Sequence, residues 1–167
     1  MINLGMLKPP SLAIVKGSVG DDRLLMQDKD MMIGAVYTAE IKKDLLSSSL
    51  SDFFQLLISN GYATRESQWY TSLSLTYCKG SVLPHNDPNY GLTALWLVSV
   101  KPLHKNQREF GPQAPSFYSS SQWSDVYPGE VIVFDADKEH AWLSNYHCSM
   151  IMQTIKKTRR TRNVEAS

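Results

Sequence analysis

The sequence predicts a mainly β (α+β) domain in which a sandwich or small barrel is braced by one or two N-terminal helices. Short segments rich in aromatic and β-branched residues follow Gly61, and turn clusters rather than helices separate them. Consecutive strands joined by tight turns are typical of antiparallel sandwiches and barrels. The chain has 167 residues, 43% of them hydrophobic and 20% charged, so we expect one domain over residues 1–157.

Residues 38–60 are predicted to form the helical support, after a first part, residues 1–37, that is irregular or contains short strands. Apolar residues recur at spacings of three and four and so form one face of a helix. The residues of this face are Ile41, Leu45, Leu46, Leu50, Phe53, Phe54, Leu57 and Ile58. The serine run Ser47–Ser49 could divide the segment into two helices, and Gly61 is suited to end it.

The β core is predicted over residues 68–157. Its strand candidates are Gln68–Cys78, Leu92–Lys101, Glu130–Asp135, His140–Ser144 and Cys148–Lys156. Residues 102–127 show little periodicity, and a segment of this length is often a functional lid or else disordered. It contains Phe117, Tyr118 and Trp123, which are candidates for a wall that faces a substrate.

The net charge of +1 is unevenly distributed along the chain. Residues 156–167 carry five basic side chains and one acid, Glu165, so the rest of the chain is mildly acidic. We expect residues 158–167 to form a basic, flexible tail. Such a tail could make weak contacts with nucleic acid, and a solvated terminus is the simpler interpretation.

Cysteine usage and hydropathy indicate a cytoplasmic protein that is not inserted in a membrane. Cys78 and Cys148 lie 70 positions apart, which is neither a disulfide framework nor a zinc-binding pattern, so we expect free thiols. The first ten residues lack a basic segment followed by an apolar one. The apolar runs are far shorter than the roughly 20 residues that span a bilayer.

Two histidines and one aspartate are the candidate metal ligands. His85 and Asp87 are two positions apart, so in an extended chain both side chains point to the same side. His140 follows the apolar strand Val131–Phe134 and a polar hairpin turn, Asp135–Glu139, which predicts a position at the mouth of the barrel. Two imidazoles and a carboxylate are the ligands of the facial triad that holds non-haem iron(II).

A structural interpretation of the same residues stands beside the metal site. The segment Pro84–Pro88 is rich in turn formers, and His140 could be a surface histidine after an acidic turn. His147 competes as the third ligand but has no apolar strand before it. Tyr77, on the strand before His85, could offer its phenol to a bound anion or could be a core aromatic residue.

These motifs resemble the 2-oxoglutarate/Fe(II)-dependent oxygenases, in particular the prolyl-hydroxylase-like and AlkB-like branches. The resemblance covers roughly residues 68–157 and rests on Tyr77 and Gly80 before His85-Asn86-Asp87, on Leu92–Val98, and on Gly129–Phe134 before His140. It implies a double-stranded β-helix (jelly roll) with iron(II) bound at one end by His85, Asp87 and His140. It also implies a dioxygenase that hydroxylates or demethylates its substrate and releases succinate and carbon dioxide.

The chain departs from that family at the basic residue that pairs with 2-oxoglutarate. The family has an arginine or lysine on the strand after the distal histidine, whereas Cys148–Met152 contains neither. Lys156 is the nearest candidate, Lys157 is adjacent to it, and Lys101 on an earlier strand is the rival. Three hypotheses follow: an oxygenase acting on a peptide, nucleic acid or small molecule, a non-catalytic cupin-like metal-binding module, and a structural β-sandwich subunit.

Overall fold

The computed structural model describes residues 1–9, 35–39, 43–64, 73–102 and 114–158, with the backbone alone for residues 35–39, 43–49, 73–75 and 77. These ranges contain one helix and eleven strands. The elements are β1 (Ile2–Met6), β2 (Ala35–Ala39), α1 (Lys43–Ser59), β3 (Tyr62–Thr64), β4 (Leu73–Lys79), β5 (Val82–His85), β6 (Leu92–Pro102), β7 (Ser116–Ser119), β8 (Gln122–Asp125), β9 (Glu130–Asp135), β10 (His140–Leu143) and β11 (Tyr146–Lys157).

The strands form two antiparallel sheets with the connectivity of a jelly roll. The larger sheet has the order β1-β9-β6-β11-β4-β2, with β3 added to the end of β11, and the smaller sheet has the order β5-β10-β7-β8. From β4 to β11 the chain passes repeatedly between the sheets, with β4, β6, β9 and β11 in one and β5, β7, β8 and β10 in the other. The predicted mainly β jelly roll is therefore confirmed.

Two hydrophobic cores lie on opposite faces of the larger sheet. On the outer face, Trp96 of β6 stacks on Phe53 of α1, with ring centroids 5.4 Å apart. On the inner face, Leu97 and Ile132 pack against Phe117 and Trp142 of the smaller sheet. Burial of each large apolar side chain contributes about 1.5–3 kcal/mol to the stability of the fold. Because successive side chains of a strand point to opposite faces, the apolar residues at alternate positions determine which face of the strand packs against each core.

The helical support is one continuous helix among the described residues. It runs through Ser47–Ser49 without a break. Serine costs about 0.5 kcal/mol relative to alanine inside a helix, and complete burial of Leu50, Phe53 and Leu57 outweighs this cost. The predicted start at residue 38 is wrong, because Ala35–Ala39 pairs with β4 as a strand and the helix begins at Lys43. Ile58, predicted on the apolar face, is 44% exposed, and the side chains of Ile41, Leu45 and Leu46 are outside the described part of the structure.

The predicted loop over residues 102–127 is wrong in its second half. There, β7 and β8 pair as a tight hairpin, while residues 103–113 lie outside the described part of the chain. The turn residues Ser120 and Ser121 both have positive φ, 53° and 61°. Hairpin turns of this kind usually carry asparagine or glycine, so a serine pair gives no recognisable turn signal.

The turn at residues 135–139 reverses the chain but does not close the predicted hairpin. Strand β9 pairs with β1 and β6 in the larger sheet, whereas β10 pairs with β5 and β7 in the smaller one. Both faces of Val131–Phe134 are buried, as expected for a central strand with a core on each side. In the described part of the chain, no helix has the length and apolar character needed to cross a bilayer.

Candidate metal centre

The predicted metal-binding histidines meet at one end of the smaller sheet. His85 is the last residue of β5, His140 is the first residue of β10, and the two lie directly opposite each other in the antiparallel register. Cross-strand partners present their side chains on the same face of a sheet. The two imidazole ring centroids are consequently only 4.4 Å apart.

Asp87 reaches the same point from the loop that follows β5. Its backbone N–H donates a hydrogen bond to the carbonyl of Ala136 (2.8 Å), and the N–H of Ala136 donates to the carbonyl of Gly91 (2.8 Å). These bonds fasten the loop to the turn between β9 and β10. The Oδ2 atom of Asp87 then lies 3.1 Å from Nε2 of His140 and 3.5 Å from Nε2 of His85.

Both imidazoles turn their Nε2 atoms toward this carboxylate. Nδ1 of His85 lies 2.7 Å from the carbonyl oxygen of Leu83, and Nδ1 of His140 lies 2.9 Å from that of Lys138. A carbonyl oxygen only accepts hydrogen bonds, so each Nδ1 carries a proton and donates it. With Nδ1 held in this way, Nε2 is the ring nitrogen of each histidine that could bind a metal ion.

The three side chains therefore bring their potential ligand atoms to one point. The ligand atoms of His85, Asp87 and His140 all lie within 4.8 Å of one another, so these residues could hold a metal ion. Hydrogen bonds from His140 and His85, helped by their charge, hold the pKa of Asp87 well below its ordinary value and outweigh the opposing effect of partial burial.

The centre is closed on one side and open on the other. The His140 side chain is 7% exposed and that of His85 18%, whereas that of Asp87 is 42% exposed. Phe134 and Phe117 pack beside His140 with ring centroids 5.1 Å and 6.2 Å from the imidazole, and edge to face against each other at 4.7 Å. Aromatic side chains thus shield the inner side from water.

Of the predicted substrate-facing aromatic residues, Phe117 lies at the centre. Tyr118 and Trp123 instead pack on each other at 5.2 Å, and Trp123 is 50% exposed. Alternation along β7 places Tyr118 on the face opposite Phe117. Ser119, which lies directly opposite His140 on β7, is not marked by any recognisable sequence pattern.

The strand register places the three lysines predicted as anion partners at different positions relative to the candidate metal site. Leu92, at the start of β6, is opposite Asp135 near the metal-binding end, whereas Lys101 is nine residues further along, roughly 30 Å away. Lys156 is exposed and lies two residues beyond Thr154, which pairs with Thr93 at the metal-binding end. Lys157 lies on the other face of β11.

The rival ligand His147 is opposite Lys101, so it is at the far end of the larger sheet and takes no part in the centre. The backbone of Tyr77 pairs with Ser149 of β11, and Ser149 is opposite Ser99 of β6. Ser99 is six residues along β6 from Thr93, which is at the metal-binding end. The side chain of Tyr77 is outside the described part of the structure. Its role as an anion contact stays a prediction, which this register does not favour.

Comparison with known proteins found solved structures that are similar to this chain but no matching family. No protein-family model and no curated protein matches it. A prolyl-4-hydroxylase of Pseudomonas putida is similar over 77% of this chain and 75% of its own, with 13% identity and a TM-score of 0.46. The ribosomal oxygenase YcfD of Escherichia coli is similar over 78% of this chain and only 34% of its own, with 10% identity and a TM-score of 0.42.

A cupin superfamily protein of Desulfitobacterium hafniense is also similar, over 58% of this chain and 75% of its own, with 15% identity and a TM-score of 0.34. At these identities and TM-scores the similarities assign neither a family nor a reaction to the chain. The jelly-roll assignment stands on the strand order itself.

Proposed function

We propose that the protein is an iron(II)- and 2-oxoglutarate-dependent dioxygenase whose metal ligands are His85, Asp87 and His140. The observation that carries the proposal is the convergence of two Nε2 lone pairs and one carboxylate oxygen, each imidazole being oriented by a backbone carbonyl on Nδ1. Two imidazoles and one carboxylate on one side of the ion leave positions free for other ligands, which suits non-haem iron(II).

Iron(II) held by these residues, together with 2-oxoglutarate and dioxygen, would supply oxidation of a substrate C–H bond with release of succinate and carbon dioxide. The chain's own residues supply placement. Asp87 and the histidines hold the ion, and the loop-to-turn hydrogen bonds at Ala136 keep Asp87 in position. Phe117 and Phe134 exclude water from the inner side.

Lys156 is the proposed partner of the distal carboxylate of 2-oxoglutarate, because it is on the inner face of β11 at the metal-binding end. Lys157 is its neighbour on the other face, and Tyr77 is the proposed additional anion contact. The substrate is a peptide, a nucleic acid or a small molecule, and the basic tail, residues 158–167, is the proposed contact if it is a nucleic acid.

A metal-binding module without catalysis is the second candidate, and one observation favours it. Apart from the three potential ligands, the described side chains beside His140 are aromatic or hydroxyl-bearing: Phe117, Phe134 and Ser119. A carboxylate ligand is ordinarily held by a cation, and the one proposed here is Lys156, an exposed side chain near the end of β11.

Anaerobic titration with iron(II) and then 2-oxoglutarate tests the proposal. We expect a visible charge-transfer band in the wild-type protein, its loss in His85→Ala, and its retention in His147→Ala, which removes a histidine from the far end of the sheet. Lys156→Ala should weaken 2-oxoglutarate binding without changing metal binding. Metal binding without the band and without succinate formation would support the non-catalytic module, and failure to bind metal would contradict both.

A further inference from the structure

The metal-binding histidines belong to a row of residues that crosses the smaller sheet. His140 on β10 is opposite His85 on one side and opposite Ser119 on the other, and Ser119 is opposite Gln122 on β8. Residues opposite each other in antiparallel strands have Cβ atoms roughly 5 Å apart and side chains on the same face. The hydroxyl of Ser119 is therefore on the inner face, beside His140.

The protein ligands approach the centre from one flank of this row. His85 and Asp87 come from β5 and the loop after it, and β5 borders β10 on one side. Strand β7, which carries Ser119, borders β10 on the other side. Strand β7 contributes none of the three potential metal ligands, so its inner face could border a further ligand of the ion.

Ser119 is the polar group in an otherwise apolar wall. Phe117, two residues earlier on the same face of β7, and Phe134 of β9 pack against each other and beside His140. Ser119 itself is only 5% exposed, and no described residue forms a hydrogen bond with its side chain. In the described part of the chain, the fully enclosed side-chain polar atoms that lack a partner are Nε1 of Trp142 and Oε1 of Gln153. The Ser119 hydroxyl is not among them, so it borders open space that a ligand could occupy, where it could donate a hydrogen bond.

We propose that the Ser119 hydroxyl donates a hydrogen bond to a small anion bound at the open side of the metal centre, and so selects ligands that have an acceptor atom beyond the one bound to the metal. This inference rests on the proposed metal site and adds a ligand-binding residue to it. Ser119 does not contact the ion in this arrangement, so its removal should leave metal affinity unchanged.

Azide binding to the cobalt(II)-loaded protein tests the inference without relying on turnover. Visible absorption reports both the binding of cobalt(II) and the later binding of azide, a small anion with a terminal acceptor atom. The variants are Ser119→Ala and Ser119→Thr, which keeps the hydroxyl. The control is Ser116→Ala, because Ser116 is on the same strand but on the other face, where its hydroxyl donates to Asp125 at 2.6 Å.

We expect cobalt(II) affinity to agree within about twofold in all variants, and azide affinity to fall about 10- to 100-fold in Ser119→Ala alone, as for the loss of one hydrogen bond to an anion. Unchanged azide affinity in Ser119→Ala, or no azide binding to the cobalt(II)-loaded wild type, would overturn the inference and leave the metal centre intact. Failure of the wild type to bind cobalt(II) would overturn the metal centre and the inference together.

Discussion

The Nε2 atom of His140 lies 3.1 Å from the Oδ2 atom of Asp87, although the residues are 53 positions apart in the chain. Strand β10 and the loop after β5 bring them together, and the backbone bond from Asp87 to Ala136 keeps them there. Because carbonyl oxygens interact with both Nδ1 atoms, the Nε2 atoms of both imidazoles point toward the carboxylate. Together the three side chains could hold a metal ion.

Acid should destabilise the metal-free protein through Asp87. Its pKa is lowered in the folded state, so its contribution to the free energy of unfolding is fully present above the ordinary aspartate pKa of about 3.9 and is lost as the pH falls toward the folded-state value. With a chelator present, wild-type stability measured by urea unfolding should fall more steeply between about pH 5 and pH 2 than that of Asp87→Asn. The exposed-turn variant Asp137→Asn should keep the wild-type slope, and equal slopes in wild type and Asp87→Asn would refute this role.

The two thiols should be unreactive in the folded protein. Cys78 and Cys148 are buried and directly opposite each other on β4 and β11. Burial raises the pKa of Cys148 to about 11 and that of Cys78 further above its ordinary value. A thiol-specific chromogenic reagent should label neither cysteine at about pH 8 until denaturant is added. Rapid labelling of the native protein would contradict the described packing.

Alkali should also destabilise the protein through these thiols. The unfolded chain loses the thiol protons first, so the free energy of unfolding should decline above about pH 8.5 by up to about 1.4 kcal/mol per pH unit for each thiol. Urea unfolding of wild type and of Cys148→Ala across this range measures the decline. The slope should be smaller in the variant, and equal slopes would show that Cys148 does not contribute.

The helix should depend on its contact with the larger sheet. Phe53 is fully buried and stacks on Trp96, so Phe53→Ala should lower the free energy of unfolding by about 3–5 kcal/mol. Ile58 on the same helix is 44% exposed, and Ile58→Ala should change stability by no more than about 0.5 kcal/mol. Similar effects of the two changes in denaturant unfolding would mean that α1 packs through a different face.

The β7–β8 turn should accept a better turn sequence. Ser120 and Ser121 both have positive φ, which asparagine and glycine adopt at lower cost. The double change Ser120→Asn, Ser121→Gly should therefore raise the midpoint of thermal unfolding while leaving metal affinity unchanged. A decrease in the midpoint would indicate a different turn geometry.

The parts of the fold and of the site that could be predicted are those specified by local sequence patterns. The apolar run Val131–Phe134 forms β9 as expected, and the side chains of His85 and Asp87 lie close together. However, Asp87 lies in a loop rather than in an extended strand, and the turn before His140 joins two sheets rather than two paired strands. The helix was largely predictable, because its period is local. The proposed triad came from combining two such local patterns with a resemblance in their order.

Properties that depend on pairing between distant strands were not predictable in the same way. The crossing between sheets after β9, the placement of Cys78 opposite Cys148, and the position of Ser119 beside His140 arise from the strand order. No local spacing encodes them. The Ser120-Ser121 turn was not predicted for a different reason, because serine is uncommon in a backbone conformation with positive φ.

Calorimetric titration of the metal-free protein with iron(II) under anaerobic conditions tests the central claim most directly. We expect one ion per chain in the wild type and a loss of affinity of at least about 100-fold in Asp87→Asn, which keeps the shape of the side chain but removes its charge. His147→Ala should bind as the wild type does. Equal affinity in Asp87→Asn and wild type, or no binding by the wild type, would contradict the account.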